Sequence, residues 1–413
     1  MSSRVVVTGI GIVCAVGNDT ATAWRAMCEG KSGGQTVTSF DTTPFSTKFA
    51  AEVNGFDAAQ YMDRKEVRRN DRFVHYAMGA ARQALDDSGF EITEENAEDV
   101  GVIIGSGVGG LNTCHDQFKV LFERGPERIS PFFITMFITD IAAGFVSLSI
   151  GARGPNFATV SACATGSNAI GEAAEMIRWG DAVAMLAGGA EAGVTQMALA
   201  SFGNMKALSR RNDDPEHASR PFDKERDGFV VGDGAGVLLL EDEEHARKRG
   251  ARIYAELVGY GSTADAYHIT EPAPQGAGLA RAMGRALKKA ELSPDSVQYV
   301  NAHGTATYLN DLNETQAIKS VFGDHAKRLA VSSTKSMIGH TLGAAGGIEA
   351  GVSALTLYHG VITPTINYTT PDPELDLDFT PNEAREARVD VAVSNSMGFG
   401  GHNAVLVLRR YNG

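Results

Sequence analysis

Four short turns hold residues with chemistry to offer. The first is Ser161-Ala-Cys163-Ala-Thr-Gly166. Phe157 to Val160 is a short apolar run that predicts a strand. From Gly166 the apolar positions Ala169, Ile170, Ala173, Ala174 and Ile177 recur at helical spacing. Cys163 therefore belongs at a strand-to-helix turn. Unpaired N–H groups at a helix N-terminus carry partial positive charge and favour the thiolate, the nucleophilic form of cysteine. Small neighbours leave room for a substrate at the sulfur; a buried structural cysteine is the competing reading. The second turn, Asn301-Ala-His303-Gly-Thr305-Ala-Thr307, follows an apolar run and sets hydroxyls two and four residues beyond a histidine. The third, Ser332-Ser-Thr-Lys335-Ser-Met-Ile-Gly-His340, puts a lysine and a histidine on one turn, with a solvated loop lysine as the alternative for Lys335. The fourth, Ser394-Asn-Ser-Met-Gly-Phe399-Gly-Gly-His-Asn403, surrounds Phe399 with three glycines. Their freedom suits an unusual backbone with N–H groups left to donate, as in an oxyanion hole; a plain connecting turn is the alternative.

Together these residues describe an acyl-transfer site. A cysteine with one histidine would also fit a hydrolase. Two histidines on separate turns fit better with stabilising an enolate on a thioester carbonyl, a charge present only in the transition state.

The elements that must position them alternate between strand and helix. Strands are predicted at 4–8, 102–104, 182–187, 234–241, 253–259, 297–301, 329–332, 389–394 and 404–408, and helices at 73–89, 243–249, 278–290, 313–321 and 341–358. This is an α/β architecture with buried sheets. The helix after His340, LGAAGGIEAGVSAL, is apolar or small all round, so it belongs in the interior, and its one charge, Glu349, needs a partner or a cation. The pattern restarts near residue 252, with halves at 1–252 and 253–413. A strand, a polar turn and a small-residue helix recur around 330–358, which suggests a duplication.

The chain of 413 residues, 43% hydrophobic and 21% charged, suits a soluble globular protein with a substantial core. Its net charge of −13 argues against nucleic-acid binding. Cys14, Cys28, Cys114 and Cys163 are scattered, with no paired spacing for a disulfide framework or zinc, which points to a reducing, cytoplasmic setting. No apolar run is long enough to span a membrane. Gly105-Ser-Gly-Val-Gly-Gly110 spells G-x-G-x-x-G, but no acidic residue follows where a ribose would need one, so a tight turn or pocket wall is the better reading. The run 131–138, PFFITMFI, is core or a partner-facing surface.

With these residues assembled, the chain resembles the β-ketoacyl-acyl carrier protein synthases of the elongating, type II class. The resemblance runs from RVVVTGIG to GGHNAVLVLRR through SACATG, SRPFDKERDGFVVGDGAG, DAYHIT, NAHGTAT, SSTKSMIGH and GFGGHN. It implies the thiolase fold: two similar halves, each with a mixed sheet between helices, five layers in all, assembled as a homodimer. It implies an acyltransferase that lengthens acyl chains by two carbons through decarboxylative condensation. Cys163 would take the acyl group, His303 and His340 would bind the malonyl thioester oxygen, and Lys335 would order the site. The N–H groups of Cys163 and Phe399 would form the oxyanion hole, with Phe399 also gating the pocket. Thr305 and Thr307 would contact the phosphopantetheine arm, which arrives on the carrier protein. Val108, Phe202 and, from the second subunit, residues near Ile134 would line the acyl channel. Asn301, Glu349, Ser394 and Asn395 match a monovalent cation site; no other cofactor is implied. Lys65, Arg68, Arg69 and Lys206 match a patch that receives the acidic carrier protein, the steering role a basic segment plays on an acidic chain. Tyr308, where the family has proline, predicts a looser HGTAT loop. With Met397 and Val108, it leaves chain length open. A thiolase is disfavoured because Cys163 is the last cysteine. An inactive partner subunit is disfavoured by the retained Cys163, His303 and His340. A polyketide ketosynthase subunit remains as the alternative.

Overall fold

The computed structural model describes residues 3–413; Met1 and Ser2, the first residues of the expected N-terminal half, lie outside the described residues. Ten strands form the main sheet, in the order Ala330–Ser332, Tyr299–Asn301, Val391–Gly398, His402–Arg409, Ala255–Ala264, Val5–Cys14, Gly234–Asp242, Ala184–Glu191, Val100–Gly105 and Asn156–Phe157. The seam in the middle is slight: Val5–Cys14 meets Ala255–Ala264 at only two pairs, Val6 with Glu256 and Val7 with Ala255. On either side of that seam the five strands follow one plan. Moving outward, the first strand in sequence is followed by the fifth, fourth, second and third. The first two neighbour pairs are antiparallel and the last two parallel.

Two helices, Thr165–Trp179 and Ala345–His359, lie between the two sets of strands. Ile10, Ile170, Leu238, Ile348 and Leu406 share the inner core around them. Arg72–Ser88 and Ile141–Ile150 cover the outer face of the first set, with Phe73, Val102 and Leu186 between. Ala277–Lys289 and Tyr308–Phe322 cover the second, over Leu279, Ile318 and Val405. Strands buried on both faces need apolar residues on both, which is why Val5–Cys14 is apolar or small almost throughout. The inner helices are rich in small residues because they touch backbone to backbone: a Cβ on Gly166 would lie 2.6 Å from the Gly347 nitrogen.

Some sequence expectations shift. The helix expected over 341–358 begins later, at Ala345, because Leu342 takes φ 49° in a 3-10 turn over Leu342–Ala344. The strand expected over 157–160 is only Asn156–Phe157. Within 131–138 the chain makes an exposed short helix, Phe133–Phe137. The helices Leu111–Arg124 and Ile141–Ile150 were not foreseen; the second is apolar all round and has no periodicity to betray it. Among the described residues no helix is long and apolar enough to cross a membrane.

Candidate active site

The four turns converge on one cavity of about 550 Å³, lined by Cys163, His303, His340 and Phe399 among others. Cys163 occupies a 3-10 turn, Ala162–Ala164, that feeds directly into Thr165–Trp179. Ala162 takes φ 50°, a strained value for a residue with a side chain. The turn is tied locally: Ser161 N–H donates to Thr165 Oγ1 at 2.9 Å, and Asn168 Nδ2 donates to Ser161 Oγ at 2.6 Å.

The expected thiolate is corrected here. Burial pushes the Cys163 thiol up to about 12, and the nearby carboxylates of Glu191 and Glu349 push the same way. Lys335 and the Phe399 N–H, which donates toward the sulfur, pull it down without prevailing. Desolvation is the largest of these influences, so the resting group is a thiol.

His303 follows the strand Tyr299–Asn301. Its N–H and that of Gly304 both donate to Glu314, at 2.8 Å each, and Ser333 Oγ donates to the Gly304 carbonyl at 2.7 Å. His340 is held through its own N–H, which donates to the Val230 carbonyl at 2.6 Å. The two imidazoles meet edge to face, ring centres 5.3 Å apart, and Phe229 stands edge-on to His340 at the same distance. Burial, helped by Lys335, pulls both rings well below the usual histidine range, so both are neutral.

Lys335 is no loop lysine. It is buried in the short helix Lys335–Ile338, where its ammonium pairs with Glu349 and lies 3.4 Å from His303 Nδ1. That pairing answers half of the Glu349 question. Burial raises the Glu349 carboxyl, Lys335 opposes it, and the second oxygen, Oε2, has no partner. Asn301 Oδ1, Ser394 Oγ and Asn395 Oδ1 are also buried and unpartnered. Four orphaned oxygens on the four residues expected to hold a monovalent cation fit a hard, oxygen-seeking ion.

Phe399 follows the strand Val391–Gly398. The turn beyond it uses Gly400 at φ 90° and Gly401 at φ 74°. This turn is clasped from the Asp265–Thr270 side: Asp265 N–H donates to the Gly401 carbonyl at 2.8 Å, and Gly400 N–H to the Ile269 carbonyl at 2.7 Å. Gly398 leaves no room for a side chain, since a Cβ there would lie 2.5 Å from the Ser161 carbonyl and 3.1 Å from the Cys163 nitrogen.

Val108, Phe202, Lys206, Thr305, Thr307 and Tyr308 also line the cavity. Thr305 and Thr307 share a hydrogen bond of 3.0 Å. The Tyr308 hydroxyl donates to Glu374 at 3.1 Å and the Arg226 guanidinium sits 5.0 Å over its ring. Gly107 and Val108 make the G-x-G-x-x-G stretch a pocket wall. Ile134 is exposed and outside the cavity of this chain, as are Lys65 and Arg68; Arg69 is partly buried and also outside it, and the three lie in or just after the short helix Arg64–Val67. Arg69 lies 4.5 Å over the Phe132 ring.

Sequence reasoning missed Glu191 and Glu314, the buried carboxylates that hold the loops around the cavity. The one available signal was an acid embedded in an apolar strand, as in Ala-Gly-Gly-Ala-Glu191.

Residues 2–246 match the Beta-ketoacyl synthase, N-terminal domain, and residues 254–369 its C-terminal domain. The chain belongs to the beta-ketoacyl synthase family. Among curated relatives of this beta-ketoacyl synthase, a 3-oxoacyl-[acyl-carrier-protein] synthase 2 of Synechocystis is 52% identical over 408 residues, covering 99% of this chain and 98% of the relative. One of the same name from Staphylococcus aureus (strain COL) is 53% identical over 410 residues, with 99% of each covered. A solved ketosynthase in complex with a type II polyketide acyl-carrier protein superposes with a TM-score of 0.92 at 35% identity, covering 100% of both chains.

Proposed function

We propose that this beta-ketoacyl synthase is a 3-oxoacyl-[acyl-carrier-protein] synthase of type II fatty acid synthesis, adding two carbons per cycle. The observation that carries the reading is one cavity shared by a thiol, two neutral imidazoles and an N–H aimed at the sulfur. The relatives named for this activity are identical at about half of all positions across the whole chain.

In the first stage Cys163 Sγ attacks the acyl thioester carbonyl. The N–H groups of Cys163 and Phe399 receive the oxyanion, and the pantetheine thiol leaves with the proton that the Cys163 thiol gives up. In the second stage the malonyl C–C bond to the carboxylate breaks, and the carboxylate leaves as carbon dioxide. The bond's electron pair stays on the α-carbon as an enolate, whose oxygen accepts N–H bonds from His303 and His340. Neutral imidazoles suit this role, because their donated bonds strengthen as the oxygen gains charge. The α-carbon then attacks the acyl-Cys163 carbonyl, a C–C bond forms, and the cysteine sulfur departs as a thiolate that takes a proton from solvent to restore the thiol.

The partner would be an acyl carrier protein bringing both substrates on phosphopantetheine past Thr305 and Thr307. Lys206 at the cavity edge, with Lys65, Arg68 and Arg69, would receive its acidic surface. The assembly would be a homodimer. Phe122 and Leu148 are 81% and 80% exposed, and the edge strand Asn156–Phe157 lies open beside Val160; such apolar surface and an unpaired edge favour a second copy. In that reading Ile134 enters the acyl channel of the other copy. A monovalent cation held by Asn301, Glu349, Ser394 and Asn395 would neutralise the buried carboxylate and brace the His303 and Phe399 turns; no other cofactor is required. Such an enzyme works in the cytoplasm. A polyketide role draws support from a more distant likeness, such as the solved ketosynthase with a polyketide acyl-carrier protein at 35% identity.

The test is Cys163→Ala. Condensation is expected to vanish while malonyl-carrier decarboxylation persists; condensation that survives contradicts the reading.

A further inference from the structure

Glu191 ends the strand Ala184–Glu191 and is buried beneath the cavity wall. Its carboxylate takes four donors. Oε1 accepts from the Ser106 hydroxyl at 2.6 Å and the Val108 N–H at 3.2 Å. Oε2 accepts from the Gly107 N–H at 2.8 Å and the Gly343 N–H at 2.9 Å. One side chain thus joins the loop that carries Val108 to the cavity wall, in the first half, to the turn after His340, in the second.

The duplicated plan shows what Gly343 is. The turns Ala162–Ala164 and Leu342–Ala344 are both 3-10, both open on a residue of positive φ (50° and 49°), and both lead into 15-residue helices. Gly343 stands in the second turn where Cys163 stands in the first. Its N–H is the counterpart of the Cys163 N–H, a donor left free for a substrate oxygen. In the second half that donor is filled by Glu191.

We infer that Glu191 is a positioning residue: it plugs the second half's oxyanion donor and uses it as an anchor for Val108, so setting the mouth of the acyl channel and the chain-length preference. This rests on the acyl-transfer reading above. A carboxylate offers four lone-pair sites and meets four donors, whereas an amide has one accepting oxygen. In Glu191→Gln the least costly orientation turns the NH₂ toward Ser106, whose hydroxyl can rotate to accept it. Gly107 and Gly343 then keep their bonds, and the Val108 N–H loses its partner.

The experiment follows Cys163 acylation by intact mass with butyryl- and hexadecanoyl-acyl carrier protein, in wild type, Glu191→Gln and Ser106→Ala. Malonyl decarboxylation is measured for each in a Cys163→Ala background. Loss of a bond to a buried charge predicts that the long-to-short acylation ratio changes by about tenfold in Glu191→Gln. A smaller change in the same direction is expected in Ser106→Ala, which keeps the carboxylate and loosens the same loop at the Gly109 N–H, 2.9 Å from Ser106 Oγ. Decarboxylation should move much less than acylation. An unchanged ratio in both variants overturns the proposal. So does a parallel fall of acylation at both lengths and of decarboxylation, which marks a merely structural acid. If Glu191→Gln does not fold, Ser106→Ala decides alone. Wild type that takes no acyl group on Cys163 overturns the acyl-transfer reading instead.

Discussion

Lys335 Nζ lies 3.4 Å from His303 Nδ1. An ammonium has only protons to give, so Nδ1 must accept, and the ring proton is left on Nε2. The lysine therefore decides which tautomer His303 presents. The same ammonium pairs with Glu349, so one buried cation orders a histidine and neutralises a carboxylate.

Lys335→Met removes both. A carboxylate left buried and unpaired costs about 3–5 kcal/mol, so thermal stability should fall sharply. With its tautomer no longer imposed, His303 loses force as a donor, and decarboxylation should fall by about 10²-fold or more. Acyl transfer to Cys163 should fall less. Separate assays of the two half-reactions check this; equal losses in both would contradict the assigned role.

Gly398→Ala probes the oxyanion hole. The new methyl would press on the Ser161 carbonyl and the Cys163 nitrogen, displacing the very N–H groups that must converge. Loss of such a donor costs about 10²–10³ in kcat. Wild-type turnover in a folded Gly398→Ala protein would show that these groups stabilise nothing in the transition state.

The orphaned oxygens predict a cation-dependent melting temperature. Exchanging sodium or potassium for tetramethylammonium at constant ionic strength should lower Tm by about 1 °C, the response of a chain of 413 residues to about 1 kcal/mol. Ser394→Ala removes one oxygen that has no protein partner and should erase that difference. A Tm indifferent to the ion in wild type would mean that the oxygens hold no alkali cation.

The Cys163 thiol predicts a pH dependence. Its pKa is raised from 9.0 to about 12, so between those values the folded chain binds the proton that the unfolded chain has lost. Its contribution to stability is full below pH 9 and disappears as pH rises toward 12. Alkylation of the empty enzyme by iodoacetamide should climb about tenfold per pH unit from 7 to 9, following the thiolate fraction. A plateau at or below pH 7 would indicate a preformed thiolate.

The reacting groups were legible because each sits in a turn among glycine or small residues, His303 and Phe399 directly after a strand. Cys163, His303, His340 and Phe399 were readable for that reason. The state of Cys163 was not, since desolvation depends on how deeply the finished fold buries a turn. Glu191 and Glu314 were invisible as anchors because several of their donors are backbone N–H groups, which leave no mark in sequence. The break before Ala345 was hidden for a similar reason: no composition rule puts leucine at φ 49°. The repeat was seen at 330–358, and its deeper sign lies in matched strand order and in Ala162 matched with Leu342.

The central claim is that Cys163 carries the growing chain toward His303 and His340. Incubation with decanoyl-acyl carrier protein, followed by intact mass and peptide mapping, tests it most directly. The account predicts a single decanoyl group on the peptide containing Cys163, discharged by malonyl-acyl carrier protein to a product two carbons longer. An adduct on any other residue, or one that forms equally in Cys163→Ala, would contradict it.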